Sequence, residues 1–377
     1  MKKRSILIIF GLIVFIGIVF WGISHITKIT SRGGGVIKIG AMLPLTGNIG
    51  FIGENFRNGL LLSYDNYNVK DKNRVILVIE DHKNSTKDGI AIYSKFIFEK
   101  QMPLIIPTLT SITNAIIPLV KDAPRVLLGS ILSGSDMPDK SEWLFRYFLS
   151  TPDEVTAMVD YFKAKNIKEI GVYYINDDYG LDAMQVFSKT YKGKITFVES
   201  YEKSMTDFKN LVPKALQTRS IYILGYGTAY GTFVKQLRTF GYKGEIYCFS
   251  SFSTPLAIKE AGPYGKGTIF TGTAFSDSEK NPNIDQFINQ YKTKYGKDPD
   301  HYSVYGYDIG NIAFKAIFGL LEENKEVNPL NVRERILSWK TFEGLFGKTT
   351  IAENRDFKFK EVYLFTIDEN GTIHKLK

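Results

Sequence analysis

The stretch Val36–Asn68, VIKIGAMLPLTGNIGFIGENFRNGLLLSYDNYN, decides the fold. Its first seven residues, Val36 to Met42, are apolar but for Lys38 and open on β-branched Val36, Ile37 and Ile39, the pattern of a buried parallel strand. A loop follows in which Gly47, Gly50 and Gly53 free the backbone to turn and to approach a ligand closely. Glu54 or Asn55 then opens a helix whose Phe56, Gly59, Leu60 and Ser63–Tyr64 recur at helical spacing. Open α/β sheets bind ligands at such a loop, between a strand's carboxyl end and a helix N-terminus. The loop is not a dinucleotide fingerprint. Its glycines are spaced three and three apart, and no acidic residue closes a second strand at the distance that motif requires.

The same strand–helix rhythm continues outward. Strands are expected at Arg74–Asp81, Met102–Pro107 and Val126–Gly129 and a short fifth element at Trp143–Tyr147, with helices at Gly89–Lys100 and Ala115–Lys121. The cycle restarts at Thr151-Pro-Asp-Glu154, which reads as a helix N-terminus. A helix over Val155–Lys165 follows. Strands come at Glu169–Ile175, Lys194–Glu199, Ser220–Leu224 and Glu245–Phe249, and helices at Leu181–Tyr191, Phe208–Gln217 and Gly231–Phe240. Beyond Gly272 three helices are expected at Asn283–Tyr295, Val304–Leu321 and Val332–Ser338. A hairpin (Lys358–Ile367, Thr372–Leu376) closes the chain on the Asn370-Gly371 turn signal. Alternation of this kind predicts parallel α/β sheets in two units.

The 377 residues suffice for two domains, and a hydrophobic content of 44% predicts packed cores. The net charge of +9 is spread among interleaved Glu and Asp, as in Glu322–Lys325, without the basic stripe and aromatics of a nucleic-acid interface. Residues 1–24 stand apart. Met1-Lys-Lys-Arg4 precedes an uncharged, apolar run from Ile6 to Ile23, which as a helix spans about 27 Å. It reads as a secretory signal or an uncleaved membrane anchor, with the body of the protein outside. Residues 25–35 form a linker. The lone Cys248 excludes an intramolecular disulfide.

No metal or cofactor site emerges. His25, His82, His301 and His374 lack ligand spacing, His82 reading as part of a surface turn. The Gly-x-Ser-x-Gly elbow and the Walker lysine are absent. An enzyme on a two-lobe frame would need a convergent acid–base or nucleophile cluster, and none is found.

In order and spacing, IKIGAMLPLTGNIGFIG, EDHKNSTKDGIAIYSKFI, TLTSITNAIIP, VYYINDDYGLDAM, YILGYGTAYGTFVKQLRTFGYKGEIY and SVYGYDIG resemble the solute-binding proteins of branched-chain amino acid ABC transporters. That family has the type I periplasmic binding protein fold. The resemblance implies two Rossmann-like lobes joined by three crossings: residues 36–150 with 275–360, and 151–274 with 361–377. It implies a small polar solute (amino acid, carboxylate or amide) held in the interlobe cleft, a membrane permease as partner, and no cofactor. A membrane-anchored sensing domain is the alternative on the same fold.

Carried over residue by residue, the resemblance makes Ser111 the hydroxyl for a ligand carboxylate, although a Ser at a helix start also serves as a cap. It makes Ser133 and Gly134 a second loop of contacts, and Tyr179 and Tyr226 aromatics closing from the other lobe. Ile52 falls where an aromatic usually stands at the cleft mouth. Phe252 falls where the family places the carboxylate that receives an α-ammonium. A buried cation needs such a partner, so this alignment predicts a ligand without a free ammonium unless Asp177 or Asp178 supplies the charge.

Overall fold

The computed structural model describes residues 35–67, 69–273 and 282–376. The expected signal or anchor over residues 1–24, and His25, lie outside them. Among the described residues no helix is long and apolar enough to cross a membrane.

Five strands, β1 (Ile37–Leu43), β2 (Val75–Asp81), β3 (Leu104–Pro107), β4 (Val126–Gly129) and β5 (Leu144–Arg146), form a parallel sheet in the order β2-β1-β3-β4-β5. Five more, β6 (Glu169–Ile175), β7 (Lys194–Tyr201), β8 (Ser220–Leu224), β9 (Glu245–Cys248) and β10 (Ile269–Gly272), repeat that order as β7-β6-β8-β9-β10. Both sheets therefore reverse strand order between their first and third strands, and ligands bind α/β sheets at that switch point.

Three antiparallel strands stand apart from both sheets: β11 (Thr341–Gly344), β12 (Gly347–Ile351) and β13 (Phe357–Phe359). Finally β14 (Tyr363–Ile367) pairs antiparallel with β10, and β15 (Ile373–Lys375) with β14, so the second sheet is mixed rather than purely parallel. The chain thus leaves the first sheet after Arg146, leaves the second after Gly272, and re-enters it after Phe359. One apolar core gathers residues from 37–148 and 284–357; the other two gather residues from 155–270 and 364–373.

The first core closes on two helices, Gly50–Asn66 and His301–Glu322, that touch backbone to backbone. A Cβ on Gly59 would lie 1.9 Å from the Ser303 carbonyl oxygen, and one on Gly306 would lie 2.0 Å from that of Phe56. Only glycine permits this approach.

Several elements differ from expectation. The first helix starts at Gly50, because the chain needs only the Gly47 turn (φ +86°) after β1. The helix expected from Ala115 starts at Thr110. Leu109 is its N-cap, and no side chain caps it, so Ser111 has no capping role. The stretch 208–217 yields one turn, Val212–Ala215, with Pro213 at its start. The strand expected over 358–367 divides, because residues up to Phe359 pair with β12.

Candidate functional site

The carboxyl ends of both sheets face one cavity of about 550 Å³, part of it continuous with solvent. The first half contributes Ile52 from the helix after β1, and Leu109, Thr110 and Ser111 from the segment after β3. Ile131 and Ser133 follow β4, Phe148 follows β5, and Tyr302 comes from the start of helix His301–Glu322. The second half contributes Glu154 from helix Thr151–Ala164, Asp177 and Tyr179 after β6, Tyr226 after β8, and Ser250 and Ser251 after β9.

The walls differ in polarity. On the first side, the helix Thr110–Val120 presents its start to the cavity without a side-chain cap. Its first-turn N–H groups, with the positive end of the helix dipole, favour an anion. The Ser111 and Ser133 hydroxyls flank it, and the Thr110 hydroxyl is buried without a partner. Two cavity residues, Leu109 (φ +70°) and Ile131 (φ +58°), hold left-handed backbone that bulky residues avoid. Such strain persists only where the surroundings impose it.

Part of that imposition is visible behind the wall. The Arg146 guanidinium, fully buried, makes a two-point pair with Asp356 (Nε–Oδ1 2.8 Å, Nη2–Oδ2 2.6 Å). Its Nη1 donates to the Gly134 carbonyl at 2.6 Å and to that of Leu132 at 3.4 Å, which fixes the loop carrying Ile131 and Ser133. Before the first helix, Asp81 accepts from the Leu45 amide (2.8 Å) and the Thr46 hydroxyl (2.6 Å), shaping the loop after β1. His82 is not part of a surface turn; it is buried, with Nε2 3.2 Å from the Thr108 hydroxyl, and burial lowers its pKa to about 4.

On the second side stand two carboxylates. Asp177 caps the helix Asp178–Thr190 through the Gly180 amide (3.0 Å), accepts from the Tyr226 hydroxyl (2.6 Å), and lies 3.5 Å from Lys203 Nζ. Glu154 is buried. Its Oε2 accepts from the Ser250 amide (2.7 Å) and from the Thr271 hydroxyl, and its Oε1 from the Ser250 hydroxyl (3.1 Å). Burial pushes its pKa up to about 7 against the pull of these donors. Apolar surface from Ile52, Leu109, Ile131, Phe148 and the tyrosine rings completes the cavity.

Of the expected site residues, Ile52, Ser111, Ser133, Tyr179 and Tyr226 come together here. Gly134 does not line the cavity; its carbonyl holds Arg146. Phe252 is a correction. It lies wholly inside the second core, edge-on to Tyr230 and against Phe270, while Ser250 and Ser251 take the wall. The premise that the pocket has lost its carboxylate therefore fails, because Glu154 and Asp177 both line it. Sequence reasoning missed Glu154, Tyr302 and Ser250. Glu154 had a signal in Thr151-Pro-Asp-Glu154, which accounts for itself as an acidic first helical turn.

The two halves also bond across the rim. The Ser135 amide (3.0 Å) and hydroxyl (2.5 Å) donate to Asp182. Asn114 donates to Asp178 (3.4 Å) and Asn48 to the Lys203 carbonyl (3.4 Å), and Ser253 meets His301 Nδ1 at 3.1 Å. Among the described residues no cluster of His, Cys, Asp and Glu could hold a metal ion.

Two α/β halves of like topology enclosing a polar-walled cavity define a bilobal solute-binding protein. Residues 36–372 match the family model described as periplasmic binding protein, and the chain belongs to that family, one of binding proteins rather than enzymes. It is 22% identical over 256 residues to the Leu/Ile/Val-binding protein BraC3 of Rhizobium johnstonii, covering 65% of this chain and 69% of that one. Among solved structures it is similar to the substrate-binding protein LivJ of Streptococcus pneumoniae in complex with isoleucine. There the identity is 21%, the TM-score 0.80, and the coverage 90% of this chain and 100% of that one. The leucine-binding protein LivK of Thermotoga maritima is also similar, at 23% identity and TM-score 0.82, covering 91% and 98%.

Proposed function

We propose that this chain is an extracytoplasmic solute-binding protein that captures a small α-amino acid with an apolar side chain and presents it to an ABC permease. Residues 36–150 with 275–360 act as one lobe and 151–274 with 361–377 as the other, closing over the ligand by a hinge motion. The basic and apolar N-terminal run directs export.

One observation carries the reading. The cavity opposes an uncapped helix start with Ser111 and Ser133 to the carboxylates Glu154 and Asp177, with apolar surface between. A zwitterion fits that division: carboxylate to the first wall, ammonium to the second, hydrocarbon to the aromatic and aliphatic sides. The ligands named for LivJ and LivK agree with it.

Isothermal titration of the purified protein with leucine, isoleucine, valine and phenylalanine, beside 4-methylpentanoate, tests the reading. Binding of at least one amino acid is expected, with the des-amino acid much weaker. Tight binding of 4-methylpentanoate with none of the amino acids would refute it.

A further inference from the structure

Asp177 and Glu154 are not equivalent acceptors for a cation. Asp177 already has a hydroxyl, an amide and the nearby Lys203 ammonium, so its charge is compensated within the protein. Glu154 has hydroxyl and amide donors only. Among the described residues no Lys or Arg pairs with it, and the nearby Lys358 Nζ goes to Asp356 (2.8 Å) and Asp153 (3.8 Å). Asp153 on its own helix, Tyr179, Tyr222 from β8, and Tyr302 and Tyr305 from helix His301–Glu322 are the titratable groups that act on it. None of them is a cation. Its Oε1 has a single partner, and the residue lines the cavity.

We infer that Glu154 is the counter-charge for the ligand's α-ammonium, in place of the position the family resemblance assigned to residue 252. The inference rests on the amino-acid reading above. An uncompensated buried carboxylate is the costliest group in the cavity, and an ammonium is the partner that relieves it. The location has a mechanical consequence. Glu154 lies in the first turn of the helix that follows one crossing between the halves, and its donor Thr271 lies in β10, just before the next. Ligand charge is therefore read where the two lobes join.

The empty site, with this carboxyl titrating near 7, is part protonated at neutral pH. An arriving ammonium holds it ionised, so binding releases a proton, and affinity falls as pH drops through that range. The experiment is calorimetry at pH 7 in two buffers of different ionisation enthalpy. It uses leucine and (S)-2-hydroxy-4-methylpentanoate, in which a hydroxyl replaces the ammonium, on the wild type and on Glu154→Gln. Gln, with its oxygen in the place of Oε2, still accepts from the Ser250 amide and the Thr271 hydroxyl, and its amide can donate to the Ser250 hydroxyl. The wild type is expected to release a fraction of a proton per leucine and none with the hydroxy acid. Glu154→Gln is expected to weaken leucine at least about 100-fold and to leave the hydroxy acid within about threefold. No proton release from the wild type, or leucine binding unchanged in Glu154→Gln, overturns the inference; the wild-type measurement needs no variant to fold. If instead the wild type binds the hydroxy acid and no amino acid, the functional reading itself has failed.

Discussion

Asp182→Ala removes the strongest tie across the rim without touching the cavity. Asp182 lies half-buried on helix Asp178–Thr190 of the second half and accepts the Ser135 amide at 3.0 Å and its hydroxyl at 2.5 Å. Hydrogen bonds to a charged group contribute about 1.5–3 kcal/mol when protected from water. At an edge that water reaches, about 1 kcal/mol each is the fitting figure, hence about 2 kcal/mol for the pair. Both bonds join one half to the other, so the proposed hinge opening would break them and closing would make them. The open–closed equilibrium should shift by that amount, a factor of about 30. The closed form is the one that encloses the ligand, so apparent Kd should rise by the same factor, mostly through faster dissociation. Ser135→Ala removes the hydroxyl bond and keeps the amide, so about fivefold is expected. Calorimetry gives Kd, and stopped-flow dissociation monitored by intrinsic fluorescence gives the off-rate. A Kd within threefold of wild type in Asp182→Ala, with an unchanged off-rate, would refute the idea that these bonds govern closure.

Arg146→Met should destabilise the fold by about 3 kcal/mol in urea titration, because it takes the buried two-point partner from Asp356 and leaves that carboxylate only Lys358, which is partly exposed. Arg146 and Lys358 hold the Asp356 carboxyl below its ordinary value despite burial. Its stabilisation is thus present above the unfolded carboxylate range near 4 and is lost as pH falls through the lower folded value. Arg146→Met should flatten that acid limb, and an unchanged pH profile would contradict the assignment. Gly59→Ala and Gly306→Ala should each cost about 3 kcal/mol or more, since the new methyl meets a backbone oxygen that cannot swing aside. Denaturation midpoints within error of wild type would show that the two helices can part.

The sheets were the legible portion of this chain, for a physical reason. A strand buried on both faces is a run of apolar, largely β-branched or aromatic residues, and such runs at Val126–Gly129, Glu169–Ile175 and Ser220–Leu224 have the same bounds in sequence and structure. Loops at the carboxyl ends of those strands could therefore be located, and it was the family resemblance that then singled out Ser111, Ser133, Tyr179 and Tyr226 on or beside them. What lies on a loop is less constrained than where the loop falls. Phe252 and Ser251 are adjacent in one tight turn, Ser250–Ser253, yet one faces the core and the other the cavity. An offset of one residue exchanged a hydroxyl for an apolar ring; the ligand without an ammonium followed from overlooking Glu154, which supplies the carboxylate from another helix. Glu154 was hidden differently. An acid in the first turn of a helix satisfies the helix dipole and calls for no further account. Its second partners, Ser250 and Thr271, lie 96 and 117 residues away and meet it only because β9 and β10 run side by side. Local pattern thus predicts where a cavity opens. The charge inside it is set by contacts between distant segments, which no periodicity records.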